Sequence, residues 1–210
     1  MSWLRRIGRD PSPAGPAPEA PVQERVERAS PGLAALLDGV SEDRSHAVLD
    51  LGPAADSSLQ VYSRFARWVR FADLYAATTS HDAWVAALDA VPEQPDRPYD
   101  LVFAWNVLDR IAPEERDRLV KRLVEITSAD ARLYVIVDGS GDVAMHPFRF
   151  ALVGLDRMSY EPTGATPSAW PPLLPAEVER LVAPFQVVRA FTSKVGLREY
   201  VAVRKPGRVR

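Results

Sequence analysis

Apolar residues along this chain follow two rhythms. Short, almost unbroken apolar runs occur in AVLDL (47–51), LVFAW (101–105) and RLYVIV (132–137). Runs of this length, each closed by a glycine, an asparagine or an aspartate, predict strands buried on both faces of a parallel sheet. Between them the spacing turns helical: Leu59, Tyr62, Phe65 and Ala66, then Trp84, Val85, Leu88 and Val91, then Leu119, Leu123 and Ile126 with Val120 and Val124. The last of these, PEERDRLVKRLVEIT, is the clearest helix, with Pro113 near its start and Glu114 and Glu115 at its positive end. A further strand, RWVRFAD, ends on Asp73. Alternating strands and helices predict an α/β fold with a mostly parallel central sheet and right-handed crossovers.

The two ends of the chain depart from that alternation. Residues 1–21 are rich in proline and alanine and predict a disordered leader, leaving a single domain over 22–206 and a basic tail at 207–210. Trp3, Leu4 and Ile7 beside Arg5, Arg6 and Arg9 also suit a short amphipathic anchor, although a frayed terminus is the simpler explanation. Ser30 and Pro31 form a cap and first-turn proline ahead of LAALL. In the last third, HPFRFALVGLDRMSY is read as holding a short helix, and LPAEVERLVAPF as a final helix. FQVVRAFTSKVGLREYVAVRKP reads as an antiparallel hairpin turning near Lys194 to Gly196.

Composition narrows the chemistry. The 210 residues are 47% hydrophobic and contain no cysteine, which excludes disulfides, thiolate metal sites and cysteine nucleophiles. A formal charge of −2 gives no global attraction to nucleic acid. No run approaches the roughly 18 apolar residues of a transmembrane span, and no secretion signal is evident, so a cytoplasmic location is expected.

The candidate site lies between the first two strong strands. AVLDL ends at Gly52, the turn PAADSS leads into a helix, and Asp73 comes about 20 residues later, the separation at which an acid on the second strand reaches the ribose of a nucleotide held at the first turn. VLDLGPA, Asp73, YDLVFAWNVLDRI before PEER, ARLYVIV and the terminal hairpin together resemble the class I S-adenosylmethionine-dependent methyltransferases over roughly residues 29–206. The resemblance implies a Rossmann-like sandwich and S-adenosylmethionine as cofactor. It implies that the turn at Asp50 and Gly52 cradles the cofactor's methionine part, that Asp73 binds its ribose, and that Trp105 and Asn106 end the strand facing the reacting methyl. The pattern also departs from the family. Ala54 and Asp56 stand where the turn has glycines, SADA replaces a glycine-containing turn, and no third strand or adenine-side acid is evident between Asp73 and Tyr99.

Each candidate also has a plain structural explanation. Asp73 and Asn106 suit strand-end turns as well as ligands, and Asp50 inside an apolar strand needs hydrogen-bond partners whether or not a cofactor supplies them. His146, just after the third of the unbroken runs, is a candidate base, with Arg149 nearby as an anion-binding group. Tyr160 and Trp170 suit a lid over the pocket or a staple of their loop. Two functions therefore stand: a methyltransferase acting on a small molecule, and a non-catalytic binding or scaffold protein, with a protein partner, on a degenerate methyltransferase fold. A nicotinamide oxidoreductase is disfavoured by the hairpin and by the missing turn glycines.

Overall fold

A computed structural model describes residues 25–77, 81–91, 97–139, 148–163, 170–194 and 196–205. In chain order the elements are β1 (Val26–Ala29), α1 (Pro31–Leu37), β2 (His46–Asp50), α2 (Asp56–Tyr62), β3 (Ala66–Phe71), α3 (Leu74–Ala77), α4 (His81–Asp89), β4 (Tyr99–Trp105), α5 (Val107–Arg110), α6 (Pro113–Ile126), β5 (Thr127–Asp138), β6 (Phe148–Leu152), β7 (Arg157–Pro162), α7 (Pro175–Leu181), β8 (Phe185–Thr192) and β9 (Leu197–Arg204). The leader and the basic tail fall outside the described residues, as does His146.

The main sheet has the order β3-β2-β4-β5-β9-β8. Its first four strands run parallel, and β9 joins β5 antiparallel, with Tyr134 opposite Val201, before pairing with β8. Val48, Leu49, Val102, Phe103 and Ile136 have no more than a trace of exposure, which is why these runs lack polar alternation. Between β3 and β4 the described residues contain α3 and α4 and no strand, in line with the gap noted in the sequence. Among the described residues no helix is long and apolar enough to cross a membrane.

Local chemistry sets the helix starts. Ser30 Oγ accepts the N–H of Leu33 at 3.0 Å, with Pro31 in the first turn. Glu199 of β9 then accepts from Ser30 Oγ, from the Gly32 N–H at 3.0 Å and from the Tyr134 hydroxyl at 2.9 Å, pinning α1 to the sheet through buried polar groups. α6 begins at Pro113 and buries Leu119, Val120, Leu123 and Ile126.

Two expectations change. Residues 148–162 form a β-hairpin, not a short helix, and with β1 they make a second antiparallel sheet of order β1-β7-β6. On β6 the inward positions Phe150 and Leu152 follow period two, β7 buries the adjacent Met158 and Ser159, and the intervening VGLD makes the turn; apolar density alone hid the strands. SADA lies within β5 and not in a free loop. The register jumps from Tyr99 opposite Thr127 to Leu101 opposite Arg132, and Asp130 takes a φ of 66°, so the segment bulges out of the ladder.

Candidate functional site

The carboxyl ends of β2, β3 and β4 converge on Gly52. Asp50, the last residue of β2, is 1% exposed and accepts three hydrogen bonds: from Gly52 N–H at 2.8 Å and Trp105 Nε1–H at 2.6 Å to Oδ1, and from the Tyr62 hydroxyl at 2.7 Å to Oδ2. Burial pushes its carboxyl up to about 6, while the three donors pull the other way. Asp50 is thus satisfied within the fold and organises the turn from beneath.

Trp105 closes that turn from above. A register slip between Phe103 and Trp105 ends β4 in a bulge, and Trp105 adopts a φ of 48°, an unusual conformation for a bulky side chain that costs about 1–3 kcal/mol. Its indole is fully buried, parallel to Phe150 at 5.9 Å between centroids and edge-on to Tyr134 at 5.7 Å. Gly52 has no positive φ; what it supplies is room, since a Cβ there would lie 3.1 Å from Trp105 Cδ1 and 3.1 Å from Asp50 Oδ1. The second sheet roofs the cluster. Phe150 belongs to β6, and the neighbouring Leu152 N–H donates to Ser58 Oγ of α2 at 2.9 Å.

The tip of β3 differs. Ala72 N–H reaches Asp50 O at 2.8 Å, Asp73 N–H reaches Gly52 O at 3.2 Å and Leu74 N–H reaches Leu51 O at 2.9 Å, lacing this tip to the turn. Asp73 takes a φ of 39°, is half-buried, and its carboxylate has no hydrogen-bond or ion-pair partner among the described residues, although its charge acts on the Arg110 guanidinium. Beside it the Tyr75 hydroxyl donates to Asn106 Oδ1, and the Arg110 guanidinium lies over the Tyr75 ring at 4.6 Å.

No family model matches the sequence, and a search of curated proteins finds no match. Solved structures do match. One is the 1,6-didemethyltoxoflavin-N1-methyltransferase of Burkholderia thailandensis, with bound 1,6-didemethyltoxoflavin and S-adenosylhomocysteine: 18% identity, 84% of this chain and 77% of that one covered, TM-score 0.51. An S-adenosylmethionine-dependent methyltransferase from Mesorhizobium loti matches at 12% identity over 81% of this chain and 96% of its own, TM-score 0.50. A third, a protein from Listeria monocytogenes described in the same terms as putative, matches at 12% identity over 82% and 96%, TM-score 0.50. The chain has the class I methyltransferase fold.

Within a methyltransferase fold, Asp50, Gly52, Asp73, Trp105 and Asn106 meet at one edge of the sheet, as the sequence order implies. The side chains fit a bound S-adenosyl compound unevenly. The Asp73 carboxylate makes no hydrogen bond or ion pair among the described residues, its charge acting on Arg110, whereas the space above Gly52 holds the Trp105 indole. His146 lies outside the described residues. Arg149 is not brought to the site: it pairs with Glu161 at 3.5 Å on the solvent side of the second sheet. Tyr160 packs on Phe148 and Phe150 in that sheet, and Trp170 borders a cavity of about 320 Å³ with His81, Trp84, Glu115 and the same Arg110 that lies over Tyr75.

Sequence reasoning did not single out Phe150, Ser58 or Asp109. Asp109 is buried, its carboxyl is raised to about 6 by burial, and it accepts the N–H groups of Asp138 at 2.6 Å and Leu173 at 3.3 Å, joining the end of β5 to the segment before α7. Its place in the apolar run NVLDRI was the available signal, the same one that marked Asp50.

Proposed function

We propose that this chain binds S-adenosylmethionine by its nucleoside end and acts as a small-molecule methyltransferase. The observation that carries the reading is Asp73: a carboxylate at the strand tip that makes no hydrogen bond or ion pair among the described residues, with the Arg110 charge close enough to feel it, about 20 residues beyond Gly52 and bonded to it through the backbone. Asp73 would accept the ribose hydroxyls. Bound there, the cofactor would supply an electrophilic methyl group. The chain's own part is placement, holding an acceptor in line at the end of β4, where Asn106 offers an amide and His146, eight residues past β5, a base for the acceptor's proton. Calorimetry with S-adenosylmethionine and S-adenosylhomocysteine tests this. Measurable binding that Asp73→Ala weakens tenfold or more, as expected for lost charge-assisted hydrogen bonds of about 1.5–3 kcal/mol, supports it. No heat with either compound at millimolar ligand contradicts it.

A second reading, a non-catalytic binding or scaffold protein, is favoured by a different observation. Asp50, Gly52 and Trp105 satisfy one another within the fold. That reading predicts no change in affinity for any S-adenosyl compound when Asp73 is replaced.

A further inference from the structure

We infer that Trp105 is an internal occupant of the methionine cradle, and that the cradle opens to a ligand only when this side chain leaves. The inference rests on the cofactor reading above, and it concerns residues that reading leaves unexplained. The cradle's acidic floor, Asp50, is bonded by the Trp105 Nε1–H at 2.6 Å, the position in which a ligand's ammonium would serve as donor. The indole also lies where Gly52 lacks a side chain, 3.1–3.2 Å from the point a Cβ would occupy, so the closest approach to this turn is already taken.

Three features mark Trp105 as held there and not simply packed there. Its backbone is left-handed, at a φ of 48°, behind a register slip that turns the last residue of β4 inward. Its upper face meets Phe150 in parallel stacking, and Phe150 comes from the second sheet, outside the main one. That sheet is fastened to the helix after the glycine turn by the Leu152–Ser58 hydrogen bond. Occupant, roof and fastening therefore all lie over one turn. The tip of β3, laced to that same turn, leaves the Asp73 carboxylate without a hydrogen bond or ion pair among the described residues.

A side chain that must vacate a site lowers apparent affinity in proportion to the rarity of the vacated state. Removing it should therefore tighten binding, whereas trimming an ordinary binding residue weakens it. Calorimetry with S-adenosylhomocysteine on the wild type, Trp105→Ala, Trp105→Phe and Phe150→Leu, each shown to be folded by circular dichroism, provides the test. The expected gains are about tenfold or more for Trp105→Ala and about threefold for Trp105→Phe, which keeps a ring but loses the donor to Asp50. Phe150→Leu, which loosens the roof and retains the indole, should also gain. If Trp105→Ala does not fold, the other two variants decide. Unchanged or weaker binding in the folded variants, with the wild type binding measurably, overturns this inference and leaves the cofactor reading standing. Absence of binding by every protein at millimolar ligand overturns both.

Discussion

The tips of β3 and β4 flank the same glycine and reach opposite ends. Both place a non-glycine residue in the left-handed region, Asp73 at a φ of 39° and Trp105 at 48°, and both lie at the carboxyl edge where ligands of open α/β sheets bind. At one tip the residue leaves a carboxylate with no hydrogen bond or ion pair among the described residues, facing the charge of Arg110. At the other it turns an indole inward, onto the carboxylate of Asp50 and beneath Phe150. The contrast separates two things that a shared fold tends to merge. A nucleotide-site layout can persist in the backbone while side chains decide, half by half, whether it is open.

The largest effect expected from disturbing this comparison is at the closed tip. Trp105→Ala removes a fully buried aromatic and should cost about 3–5 kcal/mol in urea unfolding, even as it tightens ligand binding. A cost below about 1 kcal/mol would mean that the indole is not packed as described.

Next in size is a pH dependence from beneath the turn. Asp50 has its carboxyl raised from 3.8 to about 6 in the folded protein, so the folded state holds a proton that the unfolded state has released between those values. Its contribution to stability is thus greatest below the unfolded value, falls as pH rises through 4 to 6, and is flat above. Between pH 4.5 and 7 the loss from Asp50 is about 2 kcal/mol, and Asp50→Asn should remove that share from the measured slope. An unchanged slope in Asp50→Asn would place the shift elsewhere, Asp109 being the other buried carboxylate raised to about 6.

At the open tip the effect on stability should be slight. Asp73→Ala, which loses no hydrogen bond or ion pair among the described residues and only a charge interaction with the partly exposed Arg110, should change unfolding free energy by no more than about 0.5 kcal/mol while weakening S-adenosylhomocysteine binding. The smallest effect belongs to Arg149→Ala on the second sheet. Its exposed pair with Glu161 should be worth about 0.5 kcal/mol or less, with ligand affinity unaltered.

Much of the fold was legible because strong periodic segments carry their own evidence. The runs AVLDL and LVFAW became buried β2 and β4, PEERDRLVKRLVEI became α6, and the terminal hairpin paired as β8 and β9. The β6–β7 hairpin was not, since strands of five and six residues leave too few alternating positions to separate from a helical pattern. At the site, the placement of Asp73 beside Gly52 could be expected from their separation alone. The partners of Asp50 could not: Tyr62 lies one helix away, Trp105 is 55 residues distant, and its inward turn depends on a bulge that leaves no mark in the residue string. The departures at Ala54 and Asp56 lie in the turn after Gly52, but the indole that lies against Gly52 comes from another strand.

The most direct test of the half-open site compares two ligands on the unaltered protein. Adenosine carries the part addressed to Asp73, and S-adenosylhomocysteine adds the amino-acid part addressed to the turn at Gly52. With Trp105 in the cradle, the two should bind with affinities within about threefold of one another in calorimetry, because the added part gains no contact without displacing the indole. S-adenosylhomocysteine binding about a hundredfold more tightly than adenosine would show an open methionine cradle and contradict the account.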